Sequence, residues 1–247
     1  MLAVALLASL AALPGPRPAT PATGRELLTA MHDRYAGRWY HTLTFVQTTT
    51  LANGSTETWY EAASIPGRLR IDFGPDTART TLLFRGDSIY QFRNGTVAGA
   101  RPFVHPLMVL GFDVYAQPVE RTVAQLTTLG FDLGAVHSDT WQGRPVYVVG
   151  APPGDTLGRQ FWVDQERLVF VRMIEPSRRD PPAHIVTEFN DYRPLGQAWV
   201  AAEVRATVNG KPVQLEQYHD IKADPPLPDD LWNAGTLPPA TWMGTRD

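Results

Sequence analysis

From Trp39 to Gly95 the chain is a succession of short segments in which apolar and polar residues alternate, with only turn residues between them. A period of two sends successive side chains to opposite faces of a strand, which a helix with its period of 3.6 cannot do. Leu43, Phe45 and Gln47 share one face of the first segment, and Thr42, Thr44, Val46 and Thr48 share the other. Asn53-Gly54 follows, a pair suited to tight primed hairpin turns because it tolerates positive φ at both central positions. Trp59 to Ser64 returns as a second strand, and Pro66-Gly67 makes the next turn. Leu69, Ile71 and Phe73 then line one face of a third strand, with Arg68, Arg70 and Asp72 on its other face. Thr81 to Arg85 and Ser88 to Arg93 form a hairpin about Gly86-Asp87, and Asn94-Gly95 closes the segment.

A helix precedes this region. Thr23 and Glu26 have capping-box spacing, Leu27, Leu28, Met31 and Tyr35 fall on one helical face, and Gly37 is placed to stop the helix. After it, Pro106 to Tyr115 is strongly apolar and Val119 to Leu129 has helical spacing, so one or two helices are expected between two halves of a sheet. Strand periodicity resumes at Ala135–Trp141, Pro145–Val149, Arg159–Asp164, Leu168–Glu175, His184–Tyr192, Trp199–Val208 and Val213–Ile221, with turn signals at Gln142-Gly143, Pro152-Pro153-Gly154 and Asn209-Gly210. The proline-rich stretch from Pro225 to Trp242 is expected to wrap back as coil. The expected fold is mainly β with a few α-helices: a strongly curved antiparallel sheet, or incomplete β-barrel, of about 11 strands with a helical lid. An apolar fraction of 43% in 247 residues is enough to give such a sheet one core, in a single domain over residues 23–247.

Composition narrows the function. A net charge of −3, with Lys211 and Lys222 as the only lysines, provides no electrostatic footprint for nucleic acid. The absence of cysteine excludes disulfides, thiolate metal sites, a cysteine nucleophile and a lipid-modified cysteine. Leu2 to Leu13 is an apolar run of 12 residues. A bilayer span needs about 20, so the run reads as the core of a secretory signal. No basic stretch precedes it, and a proline-rich spacer rather than an Ala-x-Ala site follows. Residues 1–22 are thus expected to be signal and spacer, and the mature protein to be periplasmic.

The residues of catalysis are missing as patterns. There is no Gly-x-Ser-x-Gly elbow and no glycine loop ending in Lys-Ser/Thr. Of the six scattered histidines, His184 with Glu188 has chelating spacing only on a helix. On a strand the two stand about 13 Å apart, too far to share a metal, and Ile185, Val186 and Phe189 around them favour a strand. Asp229-Asp230, between Pro228 and Leu231, reads as a solvated turn or helix start. Asn53 and Asn94 sit in glycosylation sequons that a turn explains without sugar.

Several linked features resemble the outer-membrane lipoprotein carrier and sorting proteins, the LolA/LolB-like group. A leading amphipathic helix is followed by Phe45-Val46-Gln47, similar to that family's Phe-x-Gln strand. Pro66-Gly67-Arg68-Leu69-Arg70-Ile71-Asp72-Phe73 resembles its Arg-Pro-Gly-Arg-Phe-Arg-Trp segment, and Gly86-Asp87-Ser88-Ile89-Tyr90 its Asp-Gly-Lys-x-Leu-Trp turn with the two turn residues reversed. Phe161-Trp162-Val163-Asp164, Asp191-Tyr192-Arg193 and the stretch from Asp224 to Trp232 are similar to later elements of the broader group. The likeness touches most of residues 24–232. It departs at Ile65, where the carrier commonly has an arginine that holds the closed state.

The resemblance implies an incomplete barrel whose apolar cavity takes up acyl chains of lipoproteins or lipids, without enzymatic chemistry or cofactor. The implied partners are an inner-membrane donor and an outer-membrane acceptor, with the carrier a monomer. The candidate walls are Leu43, Phe45, Leu69, Ile71, Phe73, Leu82 and Phe84, and the candidate lid is Leu107, Met108, Leu110 and Phe112. An envelope-sensing or structural interaction module on the same fold is the alternative expectation.

Overall fold

A computed structural model of the chain describes residues 20–74, 79–177 and 183–239. The expected signal segment and most of its spacer lie outside these residues, as does the end of the proline-rich tail from residue 240. Helix α1 (Gly24–Tyr35) buries Leu27, Leu28, Met31 and Tyr35. Thr23 Oγ1 accepts a hydrogen bond from the Glu26 N–H at 3.2 Å. The Glu26 carboxylate accepts from the Ala22 N–H at 2.8 Å, one residue earlier than a reciprocal capping box requires. Gly37, at φ +68°, takes the left-handed conformation that ends the helix.

The strands are β1 (Thr42–Leu51), β2 (Thr56–Ser64), β3 (Arg68–Gly74), β4 (Thr80–Arg85), β5 (Ser88–Arg93), β6 (Thr96–Pro102), β7 (Val136–Trp141), β8 (Arg144–Val149), β9 (Gln160–Asp164), β10 (Phe170–Pro176), β11 (His184–Leu195), β12 (Ala198–Val208) and β13 (Lys211–Ala223). They form one antiparallel sheet of 13 strands in the order β6-β5-β4-β3-β2-β1-β13-β12-β11-β10-β9-β8-β7. Two meanders, β1–β6 and β7–β13, are joined by the β1–β13 pairing, in which Gln47 faces Tyr218 and Thr49 faces Glu216. Strands β6 and β7 are the two edges and do not pair with each other, so the sheet stays open. Between them run α2 (Pro106–Gly111), a 3₁₀ turn (Asp113–Tyr115) and α3 (Val119–Thr128). His184 and Glu188 lie on β11, as the strand reading requires.

Against about 11 strands expected the structure has 13; twelve overlap segments read from the sequence, and β6 was missed outright. Its sequence, Thr-Val-Ala-Gly-Ala-Arg-Pro, has no apolar alternation because all of it except Gly99 is exposed at an edge. The turn leading into it, Asn94-Gly95, has φ of +52° and +78° and is the primed hairpin that such a pair favours. Asn53-Gly54 is different. Only Gly54 is left-handed, and the Leu51 N–H donates to the Ser55 carbonyl at 2.9 Å. The result is a three-residue loop with a bulge, one residue longer than expected.

The concave face holds the main core, to which α1, the 3₁₀ turn and both meanders contribute. A second core lies on the convex face, where Ala62, Leu83 and Phe92 pack against Leu231, Trp232 and Leu237 of the tail. The tail therefore covers β2–β5, and Asp229–Trp232 forms a 3₁₀ turn within it. Arg70, 1% exposed, secures this layer. Its Nε and Nη2 donate to the Asp72 carboxylate at 2.7 and 3.0 Å, and Nη2 also donates to the Pro238 carbonyl at 2.9 Å. Thr81 Oγ1 donates to the same carboxylate at 2.7 Å. Trp232→Ala should cost about 3–5 kcal/mol, as for other large-to-small core changes, read as a lower urea midpoint with unchanged slope.

Candidate ligand-binding site

All eleven sequence-predicted residues fall in the one concave cluster. Leu43 and Phe45 of β1, Leu69 and Ile71 of β3, Phe84 of β4 and Met108 and Leu110 of α2 are buried in it. Phe73, Leu82, Leu107 and Phe112 pack against it while remaining partly exposed. Strand register explains the convergence: Phe45 faces Glu61, which faces Ile71, which faces Leu82, so one row crosses four strands on the same face. The far meander completes the cluster with Phe161, Met173, Phe189 and Val204, which lay outside the candidate list.

Helix α2 is placed over this face by close approach to both meanders. A Cβ on Gly111 would meet Phe189 Cε2 at 2.8 Å, so a larger residue there would push the ring or the helix aside. Behind α2, Tyr115 stacks on Trp39 at 3.8 Å between ring centroids and meets Tyr35 of α1 edge-on at 5.4 Å. Tyr115 Oη also accepts from the Phe170 N–H at 2.9 Å.

On the other side the lid is held by polar contacts to two turns. Asp113 Oδ1 accepts from the Gly67 N–H at 2.9 Å, and the Gly86 N–H donates to the Gly67 carbonyl at 2.9 Å, tying the turns together. Asp87, in the reversed Gly-Asp turn, accepts from Gln125 Nε2 of α3 at 2.7 Å and from Arg121 at 3.4 Å. Ile65, just before these turns, is buried, and Asp113 joins the lid to Gly67. Short of the lid's far edge, a cleft of about 1110 Å³ opens between β6, α3 and the ends of β9–β12. Phe103, Val104, Leu129 and Ile185 line it, and Arg101, Arg121 and Arg159 stand at its rim.

Sequence reasoning missed the polar residues of the concave face. Gln47 was placed on that face but given no role; Thr49, Glu61, Gln214, Glu216 and Tyr218 join it there by register. The available signal was the alternation Trp59-x-Glu61-x-Ala63, which continues the inward row across β2. Among the described residues, no group of three histidine, cysteine or acidic side chains could hold a metal.

Two titratable groups bracket α2. Asp113 is 3% exposed, and burial pushes its carboxyl up to about 7 from 3.8, against the opposing pull of the Gly67 N–H and Arg121. The His105 ring is wedged between Phe84 and Phe103, with centroids at 4.8 and 5.6 Å, and desolvation brings it down to about 4 from 6.5. A raised carboxyl holds more protons folded than unfolded, so its stabilising effect fades as pH rises from about 4 to about 7. A depressed imidazole does the reverse, costing stability as pH falls from 6.5 to about 4. Asp113→Asn should therefore gain on the parent as pH rises through that window, and His105→Gln should gain as it falls. Urea midpoints of the three proteins at both ends of the window check both signs.

No family model and no curated protein matches this sequence. Solved structures do match. A lipoprotein-sorting assignment belongs to a domain from Vibrio parahaemolyticus, with TM-score 0.57 and 14% identity over 85% of this chain and 96% of that one. A DUF1329 family protein from Desulfovibrio piger gives TM-score 0.55 and 12% identity over 85% and 95%. A LolA superfamily protein from Nitrosomonas europaea gives TM-score 0.52 and 12% identity over 86% and 98%. The open 13-stranded sheet with its helical lid is thus a LolA-like fold.

Proposed function

We propose that this protein is a non-enzymatic periplasmic carrier that holds acyl chains of lipoproteins or lipids between the concave sheet face and its lid, for transfer toward the outer membrane. The observation that carries this reading is the single apolar face shared by β1, β3, β4 and α2, on which Phe73, Leu82, Leu107 and Phe112 remain partly exposed although they point inward. Residual exposure on an inward face is what a cavity between sheet and lid would leave. Such a site needs no reacting groups: each buried methylene is worth about 0.8 kcal/mol, so ten contribute roughly 8 kcal/mol before the cost of ordering the chain.

At its rim the lid is held by a few hydrogen bonds, beside the packing of Met108, Leu110 and Tyr115 in the core. A carrier must release its cargo, and contacts worth about 1 kcal/mol each are exchanged for water at little cost. The donor is then an inner-membrane component and the acceptor an outer-membrane one, with the carrier acting as a monomer between them. Among the described residues, no helix is long and apolar enough to cross a membrane.

Native mass spectrometry of protein exported and purified without harsh detergent tests this. The expected result is a co-purifying acylated species that is lost from Leu82→Glu and Phe112→Glu variants, whose partly exposed sites accept the change without unfolding. A protein that emerges empty and fails to take up added lipids would overturn the reading.

A further inference from the structure

The concave face carries a polar island that acyl binding does not use. On β1, β2 and β13, Phe45 stands opposite Glu61, Gln47 opposite Tyr218 and Thr49 opposite Glu216. Glu216 is held in place, accepting from Gln214 Nε2 at 2.6 Å and from the Tyr218 hydroxyl at 2.8 Å. Gln47 Nε2 is spent on Thr49 Oγ1 at 2.7 Å. Glu61 is 5% exposed, and among the described residues no hydrogen bond or ion pair reaches its carboxyl.

Taking a carboxyl out of water without a partner is costly, and a second carboxyl nearby makes it worse. Burial pushes Glu61 well above the usual carboxyl range, and the charge of Glu216 pushes it further; burial raises Glu216 too. Among the described residues no cation acts on either carboxyl. Arg70 is spent on the convex side with Asp72 and the tail, and Lys222, paired with Thr44, lies on the face of β1 opposite Phe45. Aromatic rings share the concave face with the two carboxyls. Phe45 and Tyr218 stack at 4.3 Å, and Trp59 meets Phe73 edge-on at 4.8 Å, one row from Glu61.

Two acidic groups among aromatic rings repel a phosphate and favour an ammonium, which carboxylates bind by charge-assisted hydrogen bonds and ring faces by their quadrupole. We propose that this island is the headgroup subsite of the cavity and that the ligand is an amine-bearing amphiphile, with its ammonium at the unpartnered Glu61 and its chain along Ile71 and Leu82. The assignment rests on the carrier reading above and narrows its cargo.

Calorimetric titration of the full-length mature protein at neutral pH with dodecylamine, dodecanol, dodecanoate and butylamine tests it. Dodecylamine should bind about tenfold tighter than dodecanol, the gain expected of one charge-assisted contact with ring support, and dodecanoate should bind more weakly than either. In Glu61→Gln, checked for folding by circular dichroism, the preference of amine over alcohol should collapse. Equal binding of amine and alcohol by the parent overturns the headgroup assignment and leaves the carrier reading standing. Butylamine binding as tightly as dodecylamine overturns the amphiphile. Binding of none of the four overturns both readings.

Discussion

The pairing of β1 with β13 is the constraint on which the rest depends. Every other strand contact in the sheet is a hairpin between sequence neighbours, while this one brings Thr48 beside His219, 171 residues away. Without it there are two separate meanders and no common concave face. Its closure entropy must be met before its contacts form, which makes it a late and non-local step. The seam also fixes where the lid goes. The chain leaves one meander at edge β6 and enters the other at edge β7, the two extremes of the sheet. A segment joining the two edges of a curved sheet crosses its open side, so α2 and α3 lie over the concavity as a consequence of topology.

Much of this was legible in the sequence for identifiable reasons. Period-two alternation located the strands that are buried on one face, and glycine-containing turns located their ends. Where a strand had no buried face, as with β6, there was no alternation to read. The apolar half of the candidate site was equally legible, since Leu69, Ile71 and Phe73 declare their common face on their own. The seam itself was not, because nothing local in Leu43–Leu51 specifies Gln214–Ala223 as its partner. The convex core was hidden for a related reason. Leu83 and Phe92 owe their burial to Trp232 and Leu237, and a tail's docking site is not written in its proline content. Glu61 was passed over because a single glutamate in a strand ordinarily faces water, and only its register with Phe45 and Ile71 shows that it does not.

Polar residues thus do two different jobs in this fold. Those at the rim, Asp113 and Asp87, connect the lid to turns and are each matched with donors. Those within the concavity are incompletely matched, and a buried group without a partner is a position where a ligand gains more than it would against hydrocarbon alone. An apolar pocket holds chains by length and little else, whereas a pocket with an acidic island distinguishes among them.

The tail on the convex side has a mechanical consequence. Strands β2–β5 are sandwiched between a core on one face and Leu231, Trp232 and Leu237 on the other, with Arg70 and Arg85 fastening the outer layer to Pro238 and Trp232. On β12 the outward Arg205 pairs with Glu203 and is largely exposed. Backed on both faces, β3 and β4 are where the slowest amide exchange of this meander belongs.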